Sequence, residues 1–179
     1  NSDTTKVVRA YVHWMDASGS EDLDLSATFV GLGKSNVLAF STSGLKLGNS
    51  CHSGDVRYKI GACAEYVDID IKDALQAGYQ YVTIDVRNYK GNSLDSVQGR
   101  AGIMTREHPE SNMIWLPETG ANTSLLTSKG SSTILYIIDL KTREFIFLDL
   151  DSAGAVTAAG DIRNTLSAIE SYMAPPAFN

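Results

Sequence analysis

The chain has 179 residues, of which 43% are hydrophobic and 20% are charged, and it carries a formal net charge of −6. This composition is typical of a soluble globular protein, and the length fits one domain with a sizeable core. An acidic chain without a basic cluster repels phosphate backbones, and no apolar run approaches the ~18 residues that span a bilayer. We therefore expect neither nucleic acid nor a membrane as a partner.

The first residues show neither an initiator methionine nor the basic start and apolar run of a signal peptide. This favours a domain cut from a longer protein. The two cysteines, Cys51 and Cys63, lack the spacing of a zinc site. We expect two buried thiols rather than a disulfide, which indicates a cytoplasmic protein.

Apolar and polar residues alternate along most of the chain, which is the period of a β-strand. The segments predicted as strands are 7–15, 20–29, 36–42, 65–71, 80–89, 132–140 and 143–150. Polar or glycine-bearing turns separate them, and the short link at 141–143 predicts a hairpin. Strands at such short intervals indicate a mainly β protein, a two-sheet antiparallel β-sandwich that occupies residues 1–151.

Two segments have helical features. Residues 71–79 predict a short helix that ends near Gly78. In the tail, 152–179, we expect a linker and an amphipathic helix that packs on the sandwich or on a neighbouring domain. Asp161 caps this predicted helix, Pro175 stops it, and its apolar face consists of Ile162, Leu166, Ile169 and Met173.

The stretch 20–29 reads as a half-buried strand with Asp22 and Asp24 on one face. Their Cα atoms are about 6.6 Å apart on a strand, so both carboxylates can reach one Ca²⁺ between them. Asp16, Ser18 and Ser20 continue the same spacing upstream, as an oxygen-rich loop would. The alternative is a solvated face without an ion.

Three motifs in order, DLDLSATF, HSGDV and AEYVDIDI, resemble the tellurium-resistance TerD-like family over roughly residues 6–150. The resemblance implies a calcium-binding β-sandwich of bacterial stress-response proteins that is not an enzyme. By position it implies metal ligands at Asp22, Asp24, Asp55 and Glu65. The family's acidic run after the turn is replaced here by VRYKIGACAE, with Arg57 and Lys59. Fewer carboxylates lower the affinity for Ca²⁺. Where the family's site usually holds two ions, the site in this chain is therefore expected to hold one weakly, or none.

Three other functions compete with this one. An enzyme is disfavoured, since adjacent residues such as His52, Ser53 and Asp55 do not easily form a catalytic relay. A carbohydrate-binding module would need exposed, co-linear aromatic side chains, so a buried Trp14 and Trp115 would count against it. A sandwich with a degenerate metal site would only dock a protein partner or a neighbouring domain.

Overall fold

The computed structural model describes residues 6–57, 59–109, 120–151, 169 and 171–172. The strands are β1 (Val7–Asp16), β2 (Leu23–Gly31), β3 (Lys34–Ala39), β4 (Lys46–Leu47), β5 (Ser50–His52), β6 (Gly61–Asp70), β7 (Tyr79–Asn88), β8 (Arg100–Arg106), β9 (Gly120–Leu125), β10 (Ser132–Asp139) and β11 (Glu144–Asp151). Among the described residues, the α-helices are α1 (Ile71–Gln76) and α2 (Leu94–Val97), and residues 169, 171 and 172 are also helical.

The strands form two antiparallel sheets that face each other. The six-stranded sheet has the order β4-β5-β6-β1-β8-β9, and the five-stranded sheet has the order β11-β10-β7-β2-β3. Every strand pair within them is antiparallel. The predicted two-sheet sandwich and its hairpin between β10 and β11 are therefore confirmed.

Strand alternation places the core between the sheets. Ala10, Val12 and Trp14 of β1 are fully buried there and belong to one apolar cluster with Leu23 and Leu25 of β2. Because successive strand side chains point to opposite faces, the same alternation sends the intervening residues outward.

The outward face of β2 is buried, and the prediction of a half-buried strand was wrong in this respect. Asp24 is 8% exposed, Ser26 is 2% and Thr28 is 0%. Ser26 is covered in part by its bonds to Asp85 of the neighbouring β7. Further along the same sheet, Val30 joins a second apolar cluster that includes Ile169. The polar face of β2 is therefore buried and is not exposed to solvent.

Ile169 is 4% exposed and packs with Val30, Tyr81, Ile134 and Ile137. This contact places the described part of the tail on the sandwich. The other residues of the predicted apolar stripe (Ile162, Leu166 and Met173) and the caps Asp161 and Pro175 lie outside the described residues, and the boundary at 151 stays a prediction.

Local signals account for α1. Asp70 accepts a hydrogen bond from the Asp73 N–H at the start of the helix, and Gly78 follows it with a positive φ of 84°. Only a residue without Cβ adopts that conformation at little cost, so the helix ends where the sequence predicted. No helix among the described residues is long and apolar enough to cross a membrane.

Candidate metal centre

Three of the four predicted ligands meet at one end of the sandwich. One carboxylate oxygen from each of Asp22, Asp24 and Asp55 lies within 4.8 Å of the other two. Asp22 precedes β2, Asp24 lies in β2, and Asp55 lies in the loop between β5 and β6. The group therefore joins the five-stranded sheet to a loop of the six-stranded sheet.

The loop before Asp22 is held by Asp16, which was predicted to belong to an oxygen-rich site. Its Oδ1 accepts from the backbone N–H groups of Ser18, Gly19 and Ser20, and its Oδ2 accepts from that of Glu21. These bonds lower the pKa of the Asp16 carboxyl. Asp16 shapes the loop and is not part of the group of three aspartates.

The HSGD turn is fixed by His52. The Gly54 N–H donates to Nδ1 of His52 at 2.9 Å, so this nitrogen carries no proton. The other nitrogen, Nε2, therefore carries it and donates to the Leu25 carbonyl oxygen at 2.8 Å. Burial lowers the pKa of His52, in agreement with a neutral ring. The sequence did not predict this link, although His52 directly precedes the turn.

Glu65, the fourth predicted ligand, is fully buried beside the three aspartates and outside their 4.8 Å group. Its Oε2 accepts from the Leu25 N–H at 3.0 Å, and its Oε1 accepts from the Val56 N–H at 2.9 Å. Leu25 directly follows Asp24, and Val56 directly follows Asp55. Glu65 thus holds the two chain segments that carry these aspartates.

The environment makes the acids hard to ionise without a cation. Burial raises the pKa of Glu65 to about 8, against the effect of its two backbone hydrogen bonds. Burial, followed by the charges of Asp22 and Asp55, raises the pKa of Asp24 to about 6. Burial and the charge of Asp55 also raise the pKa of Asp22. Carboxylates so crowded favour either a bound proton or a bound cation.

Basic side chains oppose the crowding of the acids: the charges of Arg57 and Lys90 act on Asp22, and those of Arg87 and Arg57 act on Asp24. Nε of Arg57 lies 2.9 Å from Oδ2 of Asp55, and the Arg57 side chain is 57% exposed. The contact between Arg57 and Asp55 is therefore open to solvent.

The donor set fits a hard divalent cation. Oδ1 of Asp22 and Oδ1 of Asp55 are buried and accept no hydrogen bond from the described residues. A buried carboxylate oxygen without a partner costs free energy, and a metal ion is a partner that removes this cost. Ligands that are all oxygens, from separate segments, suit the irregular coordination of Ca²⁺ better than the strict octahedron of Mg²⁺.

The residues of the HSGD turn are not arranged as a catalytic relay. Both ring nitrogens of His52 bond to backbone groups, and the Ser53 hydroxyl oxygen accepts from the Tyr66 N–H at 2.9 Å. Trp14 is fully buried, which counts against the carbohydrate-binding alternative, while Trp115 lies outside the described residues.

Comparison with known proteins gives a likeness of structure. No protein-family model and no curated protein sequence matches the chain. The crystal structure of SAV2460, a protein of unknown function, is similar with a TM-score of 0.54 and 17% identity, over 84% of this chain and 94% of that one. SCO6318 from Streptomyces coelicolor A3(2), a homologue of the telluride resistance protein TerD, is similar with a TM-score of 0.51 and 13% identity, over 80% of this chain and 87% of that one. The chain therefore has a TerD-like fold.

Proposed function

We propose that the chain is a non-catalytic, calcium-binding domain of a stress-response protein of the tellurium-resistance type. Asp22, Asp24 and Asp55 hold one Ca²⁺, and Glu65 supports them. The observation that carries the proposal is the convergence of three aspartates, two of which, Asp22 and Asp55, have a buried oxygen that accepts no hydrogen bond from the described residues. The TerD-like fold supports the assignment to this type of protein.

The ion has a structural role in this proposal. Asp24 lies in the five-stranded sheet, Asp22 lies two residues before it, ahead of the same strand, and Asp55 belongs to a loop of the other sheet. A divalent ion that bonds to all three draws the sheets together at this end and offsets the repulsion between the carboxylates. The ordered end then presents a fixed surface to a protein partner or a neighbouring domain in the cytoplasm.

Thermal unfolding with and without Ca²⁺ tests the proposal. A ligand that binds only the folded state raises the free energy of unfolding, by about 2.7 kcal/mol at one hundred times its Kd. The melting temperature rises as a result. We expect a rise at millimolar Ca²⁺ for the wild-type protein and none for Asp24→Asn. The matched control is Glu107→Gln, which removes an exposed acid and should keep the full rise.

One observation favours the alternative of a degenerate site that serves only in docking. The ion pair between Arg57 and Asp55 supplies the aspartates with a positive charge from within the chain. A wild-type melting temperature that does not respond to Ca²⁺ would support this alternative and contradict the calcium proposal.

A further inference from the structure

We propose that Arg57 is a tethered competitor that sets the affinity of the ion site. This inference rests on the proposed calcium function. Nε of Arg57 bonds to one oxygen of Asp55, Oδ2, at 2.9 Å, while the other oxygen, Oδ1, is buried and accepts no bond from a described residue. In this proposal Arg57 holds Oδ2, which is the outer cation position, and an ion shared with Asp22 and Asp24 takes Oδ1, which is the inner one.

The outer position is weakly held. The Arg57 side chain is 57% exposed and the Asp55 side chain is 15% exposed. An ion pair with so exposed a partner contributes little to stability, because water screens it and the side chain loses entropy. Arg57 can therefore withdraw from Asp55 at little cost when an ion arrives.

The charge of Arg57 acts on the whole group. Besides its contact with Asp55, it stabilises the ionised forms of Asp22 and Asp24 electrostatically. A cation in this place partly neutralises the aspartates when no ion is bound, and it repels a divalent ion that enters. It also occupies the outer oxygen of Asp55, so this carboxylate offers one oxygen inward while the pair persists.

Two consequences of opposite sign follow. Without Ca²⁺, loss of the Arg57 charge leaves the aspartates less compensated, so the melting temperature should fall. With Ca²⁺ the same change removes a repulsion of two positive centres, which we expect to tighten binding by about tenfold. A side chain that only fills space would not produce this reversal.

The experiment is isothermal titration of chelator-treated protein with CaCl₂ at pH 7.5, paired with melting curves with and without Ca²⁺. The variants are Arg57→Gln, which removes the charge, and Arg57→Lys, which keeps it. Lys129→Gln is the matched control, because Lys129 is also an exposed cation in an ion pair with an aspartate, Asp95. Each neutral variant changes the net charge of the chain by the same amount.

We expect Arg57→Gln to lower the Kd about tenfold, with Arg57→Lys and Lys129→Gln within about threefold of the wild type. Equal Kd values for Arg57→Gln and Lys129→Gln would overturn the role of Arg57 and leave the calcium site intact. Absence of Ca²⁺ binding in all four proteins would overturn the calcium site, and this inference with it.

Discussion

Glu65 and Leu25 connect the two sheets of the sandwich: Oε2 of Glu65 in β6 accepts a hydrogen bond from the backbone N–H of Leu25 in β2 at 3.0 Å. The same β2 residue accepts a bond from His52 of β5 through its carbonyl oxygen. β3 pairs with β2 only from Ser26 onward. Both polar groups of the Leu25 backbone are therefore satisfied by side chains, and they fix the position of Asp24 beside Asp55.

Glu65→Leu is expected to destabilise the fold strongly. It leaves the N–H groups of Leu25 and Val56 buried without their acceptors, at a cost of about 1–3 kcal/mol for each group. Glu65→Gln keeps one oxygen as an acceptor and should cost less than half as much. Urea unfolding at pH 6, where Glu65 is largely neutral, separates this effect from charge, and equal unfolding midpoints for the two variants would contradict the account.

The calcium-free protein should lose stability as the pH rises from about 5 to about 8. The pKa of Asp24 is raised to about 6 and that of Glu65 to about 8 by burial, so the folded state binds these protons more tightly than the unfolded state. Their contribution is complete below the unfolded-state pKa values of about 4 and is lost as the pH passes through the folded-state values.

Calcium should respond to pH in the opposite direction, since it binds the ionised carboxylates. The rise in melting temperature caused by Ca²⁺ should therefore grow between pH 5 and pH 8. Melting curves at pH 5, 6.5 and 8, each with Ca²⁺ or a chelator, measure both trends. A rise that is largest at pH 5 would contradict the assignment of the ion to these acids.

Cys51 and Cys63 should behave as two inert thiols. Both side chains are buried, and neither forms a disulfide. Cys51 pairs with Asp68 of β6, five residues from Cys63 along the same strand, which is a separation of about 16 Å against the 7 Å limit for a disulfide. Ellman's reagent should react with neither thiol in the native protein and with both in denaturant, and a reductant should leave the melting temperature unchanged. A loss of stability in reductant would contradict this geometry.

The outer face of the six-stranded sheet contains a buried ion pair that should be costly to break. Arg9 donates to both carboxylate oxygens of Asp68, at 2.6 and 2.7 Å, and its guanidinium stacks on Tyr66 at 3.8 Å. Arg9→Met removes the cation that bonds to both oxygens of the buried Asp68 carboxylate, with an expected loss of about 3–5 kcal/mol in urea unfolding. The double variant Arg9→Met, Asp68→Leu should recover most of that loss. A double variant no more stable than the single one would contradict the explanation by charge.

Most of the fold could be predicted from the sequence, because the signals for strands and turns come from residues that are close together along the chain. Alternation predicted β1, β6 and β7, the β-branched and aromatic residues of two further segments predicted β10 and β11, and Gly78 predicted the end of α1. Alternation did not predict β4, β5, β9 or α2. Segments of two to six residues contain too few alternating pairs to distinguish a strand from a turn by alternation alone.

The site was less predictable because it depends on contacts between distant segments. The spacing of Asp22 and Asp24 along one strand suggested that they bind one ion. Spacing does not show that Asp55 folds next to them, and only the family resemblance indicated it. Likewise, nothing local distinguishes Asp16, which shapes a loop, from the aspartates that face one another. Alternation in β6 places Asp68 on the face away from the core, where its ion pair with Arg9 is buried.

Direct titration of the metal-free protein with CaCl₂ at pH 8 tests the central claim most directly, because that pH lies above the raised pKa of Asp24, which is about 6. The account predicts saturable binding of one Ca²⁺ per chain in the wild-type protein, and its loss in Asp22→Asn, Asp24→Asn and Asp55→Asn separately. No binding by the wild type up to millimolar Ca²⁺, or unchanged binding in the three variants, would contradict it.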